Sequence, residues 1–324
     1  MPPRIELAQA PTPIQRLDRL SARYGVELRV KRDDLTGLGL SGNKIRKLEF
    51  LVAQALAEGA DTLVTCGGSG SNHCRATAVV AARLGLRSVL LLRTHDGQPP
   101  VEPWSGNLLI SRMVGARIRF VSAERYRDYD SMFGDAAAEL VSTGRSPFII
   151  PEGGSNRTGS LGYARAFDEL TGQWPEAEVV VAAMGSGGTA AGLVMGRRRA
   201  AGVGPMPVAV NVCDDEAFFR SRVASIVGDP AREDLVILDG FKGRGYAKST
   251  PEELAFIADV AATEGLLLDP VYTGKAFLGM VTALREGRLE AERVLFIHTG
   301  GAFGLFAPAA TEGLAQVYAK SVKR

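Results

Sequence analysis

The sequence predicts an α/β protein whose parallel sheets are covered by helices on both faces. Continuous runs of Val, Ile and Leu, each short enough for one strand, alternate with segments of helical period along almost the whole chain. Several helical segments end in glycine, as helix C-termini often do. Ligands bind at the carboxyl ends of the strands in open sheets of this kind. Glycines gather after four of the strands, so we expect one composite ligand site there.

The elements follow one another in a regular order. The predicted strands are the apolar runs at 27–33, 61–67, 87–93, 116–122, 147–153, 178–185, 207–214 and 293–300. The predicted helices include the periodic segments at 43–59, 72–85, 162–172, 189–202, 251–265 and 275–287. Because the chain has no internal repeat and no low-complexity linker, a division into domains has to come from topology rather than from composition.

The composition is that of an ordinary globular protein and argues against several functional classes. The chain has 324 residues, 46% of them hydrophobic and 23% charged, enough for roughly two domains or one large one. Its 38 basic and 36 acidic residues are interleaved, which gives no case for a nucleic-acid partner. Three irregularly spaced cysteines and three histidines predict neither a disulfide framework nor a metal site. We find no signal peptide or membrane span and expect a cytoplasmic protein.

The segment AMGSGGTAAG, at 183–192, follows a strongly apolar predicted strand and opens a predicted helix. Glycines there allow backbone N–H groups to turn toward an anion, and the N-terminus of the helix adds attraction. Thr189 can add a hydroxyl. The segment lacks the Gly-Lys-Ser/Thr of a P-loop and the acidic partner of a dinucleotide site, so a phosphate monoester fits better. The alternative is a tight turn that merely needs small residues.

A second strand-to-helix turn, GGSGSNHC at 67–74, supplies Ser71, Asn72 and His73. Helix capping is the alternative interpretation of the serine and the asparagine. A lone histidine is more often packed or capping than catalytic. The chain shows no Ser-His-acid set with the spacing of a nucleophile elbow.

The segment SGNKIRKLEF, at 41–50, places Lys44, Arg46 and Lys47 at the start of a predicted helix, where the helix dipole disfavours cations. For a lone lysine a surface position is the ordinary interpretation. A lysine with a lowered pKa can instead form a Schiff base with an aldehyde. Since a phosphate-type loop occurs elsewhere in the chain, a ligand that carries both groups is a candidate. We interpret Arg46 as a structural or surface charge.

Several segments together resemble one known family. These are KRDDLTGLGLSGNKIRKLEF, SNH, IPEGGSNRTGSLGY, GSGGTAAG, LDPVYTGKAF and VLFIHTGG. They are similar to the D-cysteine desulfhydrase and 1-aminocyclopropane-1-carboxylate deaminase family of fold-type II (tryptophan-synthase-β-like) pyridoxal-phosphate enzymes. The resemblance covers nearly the whole chain and implies two open, twisted parallel-sheet domains with the cofactor in the cleft between them. It implies a large domain of 1–46 and 156–324, a small inserted α/β domain of 47–155, and a homodimer.

The resemblance also implies residues that bind pyridoxal phosphate. Lys44 matches the catalytic lysine that bonds to the cofactor aldehyde, and Lys47 matches a residue that helps to hold the phosphate. Asn72 matches the asparagine beside the phenolic oxygen, and Thr273 matches the residue that faces the pyridine nitrogen. The phosphate-binding loop is implied to contain Gly187, Gly188 and Thr189.

A further set is implied to meet a small amino-acid substrate. Ser71 matches a catalytic serine near the substrate carboxylate, and Asn72 and His73 belong to the same substrate-binding turn. Tyr272 matches an active-site tyrosine. Tyr246 aligns with a family tyrosine that lies over the substrate, and a packed aromatic residue is an equally weighted alternative for it.

The implied reaction is an α,β-elimination from a β-substituted amino acid. The hydroxyl of Thr273 can hydrogen-bond the ring nitrogen without enforcing its protonation, whereas the deaminase branch carries Glu at this position. A weaker electron sink suits the prompt departure of a good leaving group such as thiolate. We therefore expect activity similar to that of D-cysteine desulfhydrase, with pyruvate, ammonia and sulfide as products. His73 agrees, because the deaminase branch has Gln there.

Departures from the family pattern keep other activities open. Ser41, Gly70, Cys74 and Ala76 differ from the usual family residues and lie near where a substrate side chain would sit. The alternatives are a 1-aminocyclopropane-1-carboxylate deaminase, an elimination similar to that of L-cysteate sulfo-lyase, a racemase, or a non-catalytic sensor of a phosphate ligand.

Overall fold

The computed structural model describes residues 1–321 and contains two separate β-sheets. The strands are β1 Ile14–Arg16, β2 Glu27–Lys31, β3 Thr62–Gly68, β4 Arg87–Arg93, β5 Arg117–Val121, β6 Pro147–Ile149, β7 Val179–Met184, β8 Met206–Asn211, β9 Val236–Leu238 and β10 Arg293–Ile297. The helices are α1 Asp18–Tyr24, α2 Lys44–Ala57, α3 Asn72–Arg83, α4 Gly106–Met113, α5 Tyr129–Ser142, α6 Arg157–Gln173, α7 Gly188–Arg199, α8 Glu216–Val227, α9 Pro251–Glu264, α10 Thr273–Arg285 and α11 Pro308–Ser321. Within the described residues, no helix has the length and apolar character needed to cross a membrane.

The two sheets are built from different parts of the chain. Six strands form one sheet in the order β1-β2-β10-β7-β8-β9, and four form the other in the order β5-β4-β3-β6. The strand pairs are parallel except for β1 with β2, which is antiparallel. Residues 17–26, which join β1 to β2, are too few for the crossover of about a dozen residues that parallel strands require. The predicted fold class, two α/β units with parallel sheets, is confirmed apart from this antiparallel edge.

The predicted strands all form, as do the six predicted helices. Two strands were not predicted, β1 and β9, and each has three residues. Runs that short do not reveal a period of two, which needs at least about four residues. The helices absent from the prediction are α1, α4, α5, α8 and α11.

The six-stranded sheet is covered on both faces. Because neighbouring residues of a strand point to opposite faces, Val180 and Val181 of β7 enter different hydrophobic cores. Val181 packs in the core that contains Phe277 of α10, and Val180 packs in the core that contains Phe167 of α6. A strand buried on both faces has to be apolar throughout, and this explains its continuous valine run.

Helices α2, α6 and α7 meet through their backbones. A Cβ atom added to Gly162 of α6 would lie 2.2 Å from the carbonyl oxygen of Arg46 in α2. One added to Gly192 of α7 would lie 2.3 Å from the carbonyl oxygen of Ser160 in α6. No side chain fits at either contact, so glycine is required there. The contacts hold the starts of α2 and α7 at a fixed separation.

The division of the chain into domains is kept as a proposal, with the predicted boundaries 1–46 and 156–324 against 47–155. Residues 322–324 lie outside the described residues. In support, the strands of the four-stranded sheet all fall between residues 62 and 149. Helix α2 crosses the proposed boundary, since Ile45 on one side of it and Leu48 on the other pack into the same core as Leu63 of β3.

Candidate active site

Two strands of the four-stranded sheet end at a cleft. Its cavity of about 1350 Å³ is lined on one side by Gly68 and Arg93 and on the other by Tyr246 and Pro270. Gly68 is the last residue of β3 and Arg93 the last of β4, so the cavity begins where these strands stop. The glycine-rich segments predict a ligand site at such an edge.

Lys44 is the first residue of α2 and is half-buried beside the cleft. Burial lowers the pKa of its amine to about 8, and the nearby carboxylate of Glu152 partly opposes that shift. Within residues 1–321, no hydrogen bond or ion pair engages its Nζ. A lysine of this kind is a ready nucleophile toward a carbonyl compound, because a far larger fraction of it is neutral near physiological pH than of an ordinary lysine.

Lys47 lies one turn further along α2 and is fully buried. Its Nζ donates to the carbonyl oxygen of Gly153 at 3.2 Å and to the hydroxyl of Ser155 at 3.3 Å. No carboxylate from the described part of the chain forms an ion pair with it. Burial, together with the charge of Lys44, holds the pKa of Lys47 well below its usual value. A buried amine without an acidic partner is suited to an anionic ligand, which would restore its charge.

The N-terminus of α7 lies next to Lys47 Nζ and Ser155 Oγ. Gly187, which precedes the helix, has a φ of 82°, a conformation that favours glycine. The backbone N–H of Gly188 donates to Ser155 Oγ at 3.3 Å. A Cβ atom on Gly188 would lie 2.5 Å from that oxygen and 2.8 Å from Lys47 Nζ, so a side chain would fill this space. Thr189 Oγ1 accepts a hydrogen bond from Asn43 Nδ2 at 3.0 Å. This arrangement of donors at a helix N-terminus suits a phosphate group.

The turn that precedes α3 places its three polar residues in different surroundings. Ser71 caps the helix, and its hydroxyl accepts a hydrogen bond from the backbone N–H of Cys74 at 3.2 Å. Asn72 Oδ1 accepts from Asn107 Nδ2 at 2.8 Å, which leaves the amide NH₂ of Asn72 as a donor. The ring of His73 is buried, with Nε2 2.9 Å from Thr65 Oγ1. Burial and the charges of the two α2 lysines keep the pKa of His73 well below its usual value, so it is neutral at physiological pH.

Arg75 links the turn to the loop ahead of Lys44. Its Nε donates to Asn107 Oδ1 at 3.1 Å, and its other nitrogens donate to the carbonyl oxygens of Gly39 and Ser41 at 2.6 and 2.9 Å. The side chain is fully buried, and burial lowers the pKa of its guanidinium to about 10. Arg75 therefore orients Asn107, which in turn orients the Asn72 amide.

Tyr246 and Tyr272 approach each other across the cleft. Tyr272 donates its hydroxyl to that of Tyr246 at 3.3 Å, and the ring centroids are 6.0 Å apart. A Cβ atom on Gly68 would lie 3.0 Å from the Tyr246 ring, and one on Gly185 would lie 2.7 Å from the Tyr272 ring. The tyrosines thus cover strand ends of both sheets. Burial raises the pKa of Tyr246 to about 12 and that of Tyr272 well above its usual value, so both hydroxyls are protonated at neutral pH.

Thr273 starts α10 and is fully buried. Its hydroxyl donates to Asp269 Oδ1 at 2.7 Å and accepts from the backbone N–H of Asp269, also at 2.7 Å. The same carboxylate accepts the backbone N–H groups of Val271 and Tyr272. The contact of Thr273 with a ring nitrogen stays a prediction, and the hydroxyl that would make it is bonded to an acidic side chain.

Most of the predicted residues lie in one region of the structure, where they form two neighbouring groups. Tyr246 lines the cavity, and Tyr272 and Asn72 are hydrogen-bonded to the lining residues Tyr246 and Asn107. Ser71 directly follows the lining residue Gly70. The adjacent cradle around Ser155 contains Lys47, Gly187, Gly188 and Thr189. His73 lies behind the turn and is bonded to a strand residue. Sequence analysis did not single out Ser155, Asn107, Arg75, Glu152 or Asp269. Three of them lie in segments that carry the family resemblance, Ser155 and Glu152 in IPEGGSNRTGSLGY and Asp269 in LDPVYTGKAF.

Comparisons with known proteins identify the family of the chain. The family of pyridoxal-phosphate dependent enzymes matches residues 5–300. The chain is 44% identical over 314 residues to a putative 1-aminocyclopropane-1-carboxylate deaminase of Thermotoga maritima, over 94% of this chain and 98% of that protein. It is 42% identical to a mitochondrial bifunctional D-cysteine desulfhydrase/1-aminocyclopropane-1-carboxylate deaminase of Arabidopsis thaliana, over 93% and 78% of the two chains. The crystal structure of an ACC deaminase homologue superposes with a TM-score of 0.87 at 38% identity, over 97% and 96% of the chains. The chain therefore belongs to the family of pyridoxal-phosphate dependent enzymes.

Proposed function

We propose that this enzyme binds pyridoxal phosphate through Lys44 and catalyses an α,β-elimination from a β-substituted amino acid. One observation carries the proposal: an amine with a pKa of about 8 lies next to a donor-lined cradle whose buried lysine has no acidic partner. The first feature suits the cofactor aldehyde and the second suits its phosphate. The residues present therefore fit the group that the family uses.

Each end of the cofactor has a matching set of residues. We assign the phosphate to Lys47, Gly187, Gly188 and Thr189, and the phenolic oxygen to the amide NH₂ of Asn72. Thr273 is assigned to the ring nitrogen, to which its hydroxyl would donate in place of Asp269 Oδ1. The bound cofactor supplies an electron sink that stabilises negative charge at the α-carbon of the substrate.

The remaining chemistry falls to side chains of this chain. Ser71 and the N-terminus of α3 bind the substrate carboxylate, because backbone N–H groups and the helix dipole favour an anion there. The Lys44 amine, with a pKa of about 8, accepts the α-proton and can return it near neutral pH. Tyr246 and Tyr272, protonated and hydrogen-bonded to each other, cover the reacting atoms and exclude water.

We propose D-cysteine as the reference substrate, with pyruvate, ammonia and sulfide as products. Thr273 presents a neutral hydroxyl where a carboxylate would strengthen the electron sink, and the carboxylate of Asp269 lies one hydrogen bond further away. Thiolate leaves readily and does not need the stronger sink. The second candidate is deamination of 1-aminocyclopropane-1-carboxylate, which is favoured by the name of the Thermotoga maritima relative.

A substrate panel separates the two activities. We expect sulfide from the reaction with D-cysteine, whereas 2-oxobutyrate from the cyclopropane acid would identify a deaminase. Both cysteine enantiomers and L-cysteate complete the panel. The cofactor assignment has its own test, since Lys44→Ala should abolish the visible absorption of lysine-bound cofactor. The exposed Lys242→Ala variant is the matched control and should keep it. Retention of the band in Lys44→Ala would overturn the assignment.

We also propose a cytoplasmic homodimer. The three cysteines are free, as is usual in a reducing compartment. Exposed apolar side chains, among them Leu38, Val101 and Phe306, would gain from being covered by a second copy. Light scattering coupled to size-exclusion chromatography tests the assembly, and a monomer mass at micromolar concentration would contradict it.

A further inference from the structure

Lys275 is a buried cation at the start of α10 to which no role has been assigned. It is the third residue of the helix, and its side chain is fully buried although a helix N-terminus disfavours a cation. Burial lowers the pKa of its amine, and the charge of Glu253 partly opposes that shift. No carboxylate among residues 1–321 forms an ion pair with its Nζ. A buried amine in this position therefore depends on uncharged hydrogen-bond acceptors.

The acceptors are three backbone carbonyl groups of one loop, at 242–249. Lys275 Nζ donates to the carbonyl oxygens of Lys242 at 2.8 Å, of Gly245 at 2.9 Å and of Lys248 at 3.1 Å. An ammonium group has three N–H donors, so this loop accepts all of them. The side chain thus joins the start of α10 to a segment that lies 27 to 33 residues earlier in the chain.

The loop at 242–249 does not keep its shape through local preferences alone. Ala247 has a φ of 55°, in the left-handed region that is unfavourable for a residue with a Cβ atom. Two consecutive backbone turns, closed by hydrogen bonds of 3.0 and 3.2 Å, present the three carbonyl groups on one side. Carbonyl dipoles that converge in this way repel one another unless a cation lies between them. The end of the loop has a separate anchor, since the Ser249 hydroxyl donates to the carbonyl oxygen of Pro270 at 3.0 Å.

Tyr246 lies in the middle of this loop, between the second and the third of the carbonyl groups that Lys275 binds. Its ring covers the end of β3, because a Cβ atom on Gly68 would lie 3.0 Å from it. Its hydroxyl accepts a hydrogen bond from Tyr272, which directly precedes α10. One tyrosine therefore comes from the loop and the other from the start of the helix, and Lys275 joins these two segments.

We propose that Lys275 is a positioning residue, whose ammonium group binds the three loop carbonyls and so holds Tyr246 against Tyr272 over the reacting atoms. This inference rests on the proposed function, in which the two tyrosines exclude water. Lys275 needs no contact with substrate or cofactor, because it acts through the backbone of the loop. Without its N–H donors the carbonyl groups would turn toward water, and the Tyr246 ring would no longer be fixed over the end of β3.

A double-mutant cycle tests this role. Steady-state kinetics are measured with D-cysteine, or with whichever compound of the substrate panel the holoenzyme accepts. We expect Lys275→Met to lower kcat/KM about 10- to 100-fold, the range of a misplaced active-site group, and Lys275→Gln, which keeps two N–H donors, to lower it less. In a Tyr246→Ala background, Lys275→Met should change kcat/KM less than about threefold, because the ring that it positions is already absent. Lys242→Met, an exposed change on the same loop, is the matched control.

Hydrogen exchange keeps the inference separate from the proposed function. In the holoenzyme, mass spectrometry of the peptide that contains 242–249 should show at least about tenfold faster amide exchange in Lys275→Gln than in the wild type, and no change in Lys242→Met. Exchange that Lys275→Gln leaves unaltered would overturn the inference, as would equal losses of kcat/KM with and without the Tyr246 ring. Failure to eliminate any compound of the panel would instead overturn the proposed function, and hydrogen exchange would still decide whether Lys275 holds the loop.

Discussion

The reaction of Lys44 with an aldehyde should depend on pH in a way that no exposed lysine shows. The pKa of this amine is about 8, and only the neutral form attacks a carbonyl carbon. At pH 7 about a tenth of the Lys44 amines are then neutral, against roughly 0.03% for a lysine with an ordinary pKa. We expect the rate at which apoenzyme takes up pyridoxal phosphate to rise about fivefold from pH 7 to 8 and less than about twofold from pH 8 to 9.

Stopped-flow absorbance measures this rate directly. Nα-acetyl-lysine, studied in parallel, corrects for the ionisation of the cofactor itself and should react about tenfold faster with each unit of pH. If the corrected rate of the apoenzyme also climbs tenfold per unit up to pH 9, the Lys44 amine has an ordinary pKa and the argument from burial fails.

The same experiment tests the influence of Glu152. Its carboxylate raises the pKa of Lys44, so Glu152→Gln should move the midpoint of the profile to lower pH. The amide oxygen can still accept the hydroxyl of Tyr126, which preserves the packing. Glu139→Gln, an exposed change on α5, should leave the midpoint in place. An unshifted profile in Glu152→Gln would show that the two groups do not interact.

Three further substitutions test the elements around Lys44. Lys47→Met should weaken pyridoxal phosphate binding about 10- to 100-fold, while the affinity for pyridoxal, which has no phosphate, should not change. Equal losses of affinity for the two compounds in fluorescence titrations would show that Lys47 does not bind the phosphate. Arg46→Met should lower the free energy of unfolding in urea by about 3–5 kcal/mol, because it leaves the buried carboxylate of Asp33 without its ion-pair partner. The exposed Arg165→Met should have little effect, and similar unfolding curves for the two variants would contradict this. Asn107→Ala should reduce kcat about tenfold, since it frees the Asn72 amide to rotate away from the cofactor oxygen assigned to it. An unaltered kcat would mean that the Asn72 amide does not depend on Asn107 for its orientation.

The features best predicted from the sequence are those that a short segment determines on its own. The cradle at the start of α7 follows from glycines and a helix start within 183–192, so a local pattern was sufficient. Lys44 and Lys47 could be proposed as site residues for the same reason, because one turn of one helix carries both. The apolar runs likewise located the central strands, which are buried on both faces.

Contacts between distant segments could not be predicted in this way. Arg46 was interpreted as a structural or surface charge, and it is buried, with bidentate hydrogen bonds to Asp33 and a further pair to Glu169. The partners lie 13 and 123 residues away. Arg75 was not considered, and its hydrogen bonds span 32 to 36 residues. A charged residue that is buried by such partners has the same local sequence signature as a solvated one, and only the tertiary fold distinguishes them.

The glycine contacts between α2, α6 and α7 limit how this enzyme can respond to its substrate. With no side chains between the helix backbones, a change of rotamer cannot alter their spacing. The amine at the start of α2 and the cradle at the start of α7 therefore move as one rigid piece. The loop at 242–249, which carries Tyr246, is fixed separately, because Lys275 Nζ donates to three of its backbone carbonyl oxygens. The proposed anchor for the cofactor therefore keeps its geometry relative to the phosphate cradle from one turnover to the next.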